Sequence, residues 1–284
     1  MTERISFTST DHHHFEGVVY PSAEASDPLL VFFSALGTPA KVYRHFGSAM
    51  AQCGVCLCAP DWRGIDSSSV RAGRASDFGY YHLVEFDMAC TIAALRQQFP
   101  QAPLWIGGHS LGGQLALLYA AAHPEQVAGV LLVASGSVHL PCYPPKMRLG
   151  VAGLALMSYA TGPLLGYFPG KRVGFGGREA AALMYDWSHV AWTGHYRPRG
   201  TSFDYEQALG RLQRPVLALS FEADGWTPAA STRALLEKMP SGMSRHWHWS
   251  AADSAGVAID HYSWLKQPAL VAPALARHLR ATSA

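Results

Sequence analysis

The sequence predicts an α/β fold in which a mostly parallel central sheet is flanked by helices and carries a helical cap insertion. Three observations carry that expectation. Short apolar runs at 29–33, 55–59, 104–106, 127–134 and 215–221 alternate with helix-periodic stretches, as strands buried on both faces do. One of these runs ends in Gly107-Gly108-His109-Ser110-Leu111-Gly112-Gly113 and continues as the breaker-free 114–121, which reads as strand, very sharp turn, helix. The alternation then stops at Ser135, gives way to a stretch rich in Gly, Pro and aromatics, and resumes after about Tyr205. Residues 1–134 and 206–284 are therefore expected to form the core, and 135–205 the cap.

Composition bounds what such a chain does. Its 284 residues are 49% hydrophobic and only 15% charged, enough to bury a large core. With 22 Lys+Arg against 20 Asp+Glu the net charge is +2, and no basic run is interleaved with aromatics, so nucleic acid is not an expected partner. No apolar run approaches the ~20 residues needed to cross a bilayer, and no apolar segment follows Met1-Thr2-Glu3-Arg4-Ile5, so a cytoplasmic protein without an integral membrane segment is expected. The five cysteines are odd in number; Cys56 and Cys58 share one strand face and are read, with Cys53, Cys90 and Cys142, as small apolar residues rather than metal ligands.

In chain order, 4–9 and 14–20 read as two strands joined by a polar turn whose Asp11-His12-His13-His14 is expected to be solvated. The loop at 22–27 leads to the strand 29–33, which leaves into Ser34-Ala35-Leu36-Gly37-Thr38-Pro39. Val42, His45, Phe46, Ala49 and Met50 give a helix over 41–53, stopped by Gly54. After the strand at 55–59 comes the polar Asp61-Trp62-Arg63-Gly64-Ile65-Asp66-Ser67, in which Asp61 is read as a turn-former because it precedes the sharp turn in the chain. A helix over 84–99 and Pro100 and Pro103 lead back to the strand before Ser110. No sheet strand is expected in 135–205. Beyond it lie a strand at 215–221, a helix at 229–239, a last strand at 245–249 that puts His246 and His248 on one face, and a loop at 251–260 before the final helix.

The chemistry-bearing residues gather at strand ends. Gly108-His109-Ser110-Leu111-Gly112 fits G-x-S-x-G, in which a serine is held on a strained strand-to-helix turn as a nucleophile. Asp224 sits just past the carboxyl end of the strand 215–221, where ligands collect in open α/β sheets, whereas Glu222 lies closer to the strand and is read as structural. His261 is the histidine placed after the last strand to reach the same edge. The backbone N–H groups of Leu36 and Leu111 are the expected oxyanion donors.

With Ser110, Asp224 and His261 in that order, the chain resembles the α/β-hydrolase fold, and more narrowly a bacterial group of serine α/β-hydrolases. The resemblance runs through residues 37–44 and 61–67, the turn at Ser110, Leu165-Gly166-Tyr167-Phe168-Pro169-Gly170-Lys171-Arg172, residues 217–224, and Asp260-His261-Tyr262. Two departures stand out: Ser34-Ala35 where many α/β-hydrolases have His-Gly, and Asp260 where the group resembles a Gly-His pair. The resemblance implies that Ser110 attacks an acyl carbonyl while His261 takes its proton and Asp224 orients the imidazole. No metal or organic cofactor is expected. A cap of low charge with Tyr143, Tyr159, Tyr167 and Phe168 points to an ester or thioester with an apolar group as the small-molecule partner. Acyl transfer by the same residues, and binding without catalysis on the same scaffold, are the other readings the sequence leaves open.

Overall fold

The computed structural model describes residues 2–283; Met1 and Ala284, the outer ends of the expected core segments, lie outside them. An antiparallel hairpin of β1 (Glu3–Thr8) and β2 (His14–Tyr20) begins the sheet, and β3 (Leu29–Phe33), β4 (Cys56–Pro60), β5 (Leu104–His109) and β6 (Gly129–Val133) extend it. The segment after β6 holds a separate antiparallel pair, β7 (Tyr167–Phe168) and β8 (Glu179–Ala180), before β9 (Val216–Phe221) and β10 (Ser244–Trp249) complete the main sheet. The spatial order is β1-β2-β4-β3-β5-β6-β9-β10; β2 is antiparallel to β1 and β4, and every other pairing is parallel.

The apolar runs are continuous because each strand feeds both sides of the sheet. Leu29, Val31 and Phe33 face one core with Leu104, Ile106, Val130 and Leu132, whereas Leu30 and Phe32 face the other with Trp105, Leu131 and Val133. Full burial of each such side chain stabilises the fold by roughly 1.5–3 kcal/mol. Against the second core lie α1 (Arg44–Gln52), through Phe46 and Met50, and the C-terminal helix, through Val271 and Leu275. Against the first lie α2 (Tyr80–His82), α3 (Ala89–Gln98) and α4 (Leu111–Ala122), the last contributing Leu115 to Ala121. Between β6 and β9 come α5 (Pro145–Leu165), α6 (Gly170–Val173), α7 (Ala181–Thr193) and α8 (Tyr205–Leu209); α9 (Ala229–Leu236) and α10 (Pro268–Ser283) follow β9 and β10.

Four expectations are corrected. The helix read over 84–99 begins earlier, at Tyr80, and runs through a π-helical turn at Leu83–Met88 before α3. That wider turn presents Asp87, buried, to the Arg63 guanidinium, which donates from Nε at 3.1 Å and Nη2 at 2.6 Å, and Thr91 Oγ1 donates to the Asp87 carbonyl oxygen. The turn at 11–14 is not solvated throughout: His13 is buried, with Nδ1 3.0 Å from Asp87 Oδ1 and Nε2 2.8 Å from Ser68 Oγ. A hairpin tip exposed in sequence terms is thus pinned to the core by the same carboxylate that holds Arg63. The helix over 41–53 opens as a 3₁₀ turn at Ala40–Tyr43, and the insertion does contain strands, although β7 and β8 pair only with each other. Asp61 is a turn-former: its carboxylate accepts the N–H of Ala40 at 2.9 Å and the hydroxyl of Ser67 at 2.7 Å. Cys56 and Cys58 are buried in β4, and among the described residues all five cysteines are free thiols.

Candidate active site

The strand order reverses at β3, since β4 lies on one side of it and β5 on the other. The loops leaving β3 and β5 therefore diverge and open a crevice at their carboxyl ends. Both expected oxyanion donors and Ser110 sit on these two loops.

Ser110 joins β5 to α4 with φ 54° and ψ −119°, a combination that costs an L-residue on the order of 1–3 kcal/mol. Its neighbours hold it there: Ser110 donates its N–H to the Val133 carbonyl at 3.1 Å, and its own carbonyl accepts the Ser135 hydroxyl at 2.7 Å. The flanking glycines are required for space. A Cβ on Gly108 would lie 2.6 Å from the Phe33 carbonyl oxygen, and one on Gly112 would fall closer still to that oxygen. Strand β3, the turn and α4 thus pack backbone against backbone, which only Gly at both positions permits.

Asp224 and His261 meet at the same edge. Asp224 is buried just past β9, where Oδ1 accepts the N–H groups of Trp226 and Thr227 at 2.8 and 2.9 Å, leaving Oδ2 2.8 Å from His261 Nδ1. Thr227 in turn donates its hydroxyl to the Ala134 carbonyl, tying the acid's loop to the end of β6. Trp264 Nε1 donates to the His261 carbonyl at 3.1 Å and fixes the loop from the other side. Asp260 turns away from the imidazole: its Oδ1 accepts the N–H groups of Tyr262 and Ser263, and the Ser263 bond leads in holding the carboxyl below its ordinary value. The departure from Gly before His261 therefore satisfies the N–H groups that lead into the 3₁₀ turn at Ser263–Lys266. Glu222 is exposed and, among the described residues, its carboxylate takes no part in the site; His246 Nε2 and His248 Nδ1 share the buried Ser220 hydroxyl at 2.7 and 2.8 Å on the sheet face.

Leu36, Ser110, Leu111 and His261 line one cavity of about 90 Å³. Leu111 is the first residue of α4, so its N–H has no partner within the helix. Among the described residues the Leu36 N–H also reaches no acceptor, although Ala35 before it donates to Tyr43 Oη at 2.9 Å and Thr38, two residues on, donates to the Ala35 carbonyl at 3.0 Å. Tyr43 Oη lies 2.8 Å from His109 Nδ1. Burial, reinforced by the His261 ring 4.6 Å away, pushes His109 well below the ordinary imidazole value, so it stands neutral behind the nucleophile turn.

The walls correct the expectation for the aromatic residues of 135–205. Tyr143 lines the cavity, but Tyr159 packs edge-on against Tyr185, Tyr167 lies under the Arg178 guanidinium, and Phe168 is buried elsewhere. Phe175, Trp187 and Val151 from the insertion, with Trp226 and Tyr262 from the core loops, supply the apolar lining instead. No sequence signal singles these out, because their convergence depends on the docking of α5 and α7. Val151, Trp226, His261 and Tyr262 also border an outer groove of about 600 Å³, completed by Met147, Leu154 and Val173, so the small chamber at Ser110 opens into a larger apolar trough.

A parallel sheet reversing at β3, with a serine on a strained turn after β5 and a buried Asp-His pair after β9 and β10, defines a class. The chain has the α/β-hydrolase fold. The family model described as serine aminopeptidase, S33 matches residues 24–164. A soluble variant of monoglyceride lipase from Saccharomyces cerevisiae, solved with a substrate analogue, superposes with a TM-score of 0.73 at 14% identity over 98% of this chain and 95% of that one. DcsB, solved with its substrate analogue, gives 0.69 at 16% identity over 100% of both chains. The thioesterase domain from the curacin biosynthetic pathway gives 0.60 at 15% identity over 98% of this chain and 99% of that one. No curated protein sequence matches the chain.

Proposed function

We propose that the chain is a serine hydrolase that cleaves a carboxylic ester or thioester with an apolar acyl or alkyl group. The observation that carries this reading is the His261–Asp224 bond at 2.8 Å on the wall of the cavity into which the strained Ser110 faces. Asp224 occupies Nδ1, which leaves Nε2 to take the Ser110 proton as the oxygen attacks the acyl carbonyl. The oxyanion would be met by the N–H groups of Leu36 and Leu111, each worth roughly 3 kcal/mol in such a site. His261 passes that proton to the alcohol or thiol that departs as the acyl-serine forms; it then takes a proton from the attacking water and returns it to Ser110 as the carboxylic acid leaves. Residues 135–205 act in this reading as a cap whose Phe175 and Trp187 close the chamber over the ester, while the chain of the acyl or alkyl group lies in the trough. The lipase and thioesterase among the similar structures are consistent with ester and thioester substrates.

Hydrolysis of a chain-length series of p-nitrophenyl esters tests the proposal. Turnover should peak at an intermediate acyl length and fall by roughly a thousandfold or more in Ser110→Ala, with the fold intact by circular dichroism. Equal turnover in wild type and Ser110→Ala would remove the serine from the mechanism. Added alcohol acceptors distinguish hydrolysis from acyl transfer by the product formed.

A further inference from the structure

Helix α5 packs on α7 through Val151, Ala155 and Ser158, so its opposite face should be polar. It is not. Leu149, Gly153, Leu156, Ala160, Pro163 and Leu164 recur at helical spacing and are all exposed, with Leu149 77%, Leu156 65% and Leu164 69% accessible. A Cβ on Gly150 or Gly153 would meet nothing within 4 Å, so among the described residues no other element covers this part of the helix. About four turns of a helix thus present a polar-free stripe to solvent, which an ordinary surface helix does not do.

Charge identifies the occupant. Residues 135–178 contain Lys146, Arg148, Lys171, Arg172 and Arg178 but no Asp or Glu, although the whole chain carries only +2. Lys146 and Arg148 flank the stripe on α5, and exposed Lys171 and Arg172 lie next to Val173, which shares the trough with Met147 and Leu154 of α5. We propose that this face of α5, with its cationic rim, docks the protein on an anionic lipid surface. Apolar side chains would enter the headgroup boundary while the rim meets the lipid phosphates. A second copy of the chain fits less well, because a two-fold pairing sets the cationic rim against itself with no carboxylate to answer it. Among the described residues no helix is long and apolar enough to cross a membrane, so α5 lies on the surface rather than through it. Met147, Gly150, Val151 and Leu154 of this same helix line the trough that leads to His261.

Flotation of the full chain with vesicles tests the proposal without any turnover. Vesicles of phosphatidylcholine alone are compared with vesicles containing about one-third phosphatidylglycerol, for wild type, Leu149→Asp/Leu156→Asp and Lys146→Gln/Lys171→Gln/Arg172→Gln. Wild type should float with the anionic vesicles and lose that binding roughly tenfold or more in either variant, and at high salt. The substituted side chains are exposed, so the thermal unfolding midpoint should stay within a few degrees. Absence of flotation with anionic vesicles, equal flotation with neutral ones, or unchanged binding in the leucine variant overturns the proposal. A wild-type dimer in sedimentation equilibrium that the leucine variant converts to monomer assigns the face to a second copy instead.

Discussion

Tyr43 shows how far the geometry of one residue reaches. Its hydroxyl accepts the N–H of Ala35, the residue before Leu36, and contacts Nδ1 of His109, the residue before Ser110. One phenol thus sets the distance between the β3 loop and the nucleophile turn, a positioning role that touches no substrate. In Tyr43→Phe the ring stays packed against Phe32 and Trp264, but a buried N–H and a buried imidazole nitrogen lose their partner, costing roughly 1–3 kcal/mol of stability. If the hydroxyl aligns the two donors, kcat for a p-nitrophenyl ester should fall by about tenfold with KM unchanged. A change confined to the denaturation midpoint would make Tyr43 structural only. The residue was legible in the sequence only as a member of the helical stretch over 41–53; its hydroxyl bonds were not, because they join it to the loop before the helix and to a residue 66 positions away.

Between elements, the β3 loop leans on the turn that precedes β8. Gly37 has φ +68°, and a Cβ there would lie 2.6 Å from the Gly176 carbonyl carbon and 2.8 Å from Glu179 Oε1. Gly174 has a similar φ of +71° with nothing within 4 Å. Substituting Ala costs roughly 1–2 kcal/mol at either position for the left-handed backbone, but only at Gly37 must the loop move. Gly37→Ala should therefore lower kcat by up to about a hundredfold, whereas Gly174→Ala keeps most of the activity. Equal losses of activity in the two variants would separate Leu36 from the oxyanion site. That Ser34-Ala35 replaces His-Gly in this loop is visible in the sequence. What replaces the lost flexibility, the Tyr43 anchor and the Gly176–Gly177 rest, is visible only in three dimensions.

Across the whole molecule, a buried carboxyl of the segment between β6 and β9 lies against the core. Glu179 lies behind Leu36 and Leu111; burial pushes it up from 4.5 to about 7, against the bond it accepts from the Gly177 N–H. A folded-state value above the unfolded one means that its contribution is fully present below pH about 4.5 and is lost as the pH rises through about 7. The loss amounts to about 3 kcal/mol. Asp186 on α7 shifts the same way, to about 6, and burial with His248 nearby lowers His246 to about 4, so other groups add their own slopes. Glu179→Gln keeps the acceptor and isolates one slope. It should match wild type in denaturant unfolding near pH 4 and be the more stable protein above pH about 7. A wild type as stable as the variant throughout would mean that Glu179 is ionised in the fold without penalty.

The sequence by itself determined the strand-helix alternation and the residue types at each strand end. These are local properties: periodicity marks which faces are buried, and Gly108 and Gly112 announce the one turn where backbones meet. Strand β3 came out with the same bounds, because a five-residue apolar run closed by a polar loop has no competing register. Tertiary structure alone decided what depends on elements distant in the chain. It buried His13 against Asp87, turned Asp260 away from His261, and lined the chamber with Phe175, Trp187 and Trp226 in place of Tyr159, Tyr167 and Phe168. It also left one face of α5 uncovered, since an apolar helix reads the same in sequence whether its second face meets protein, lipid or water.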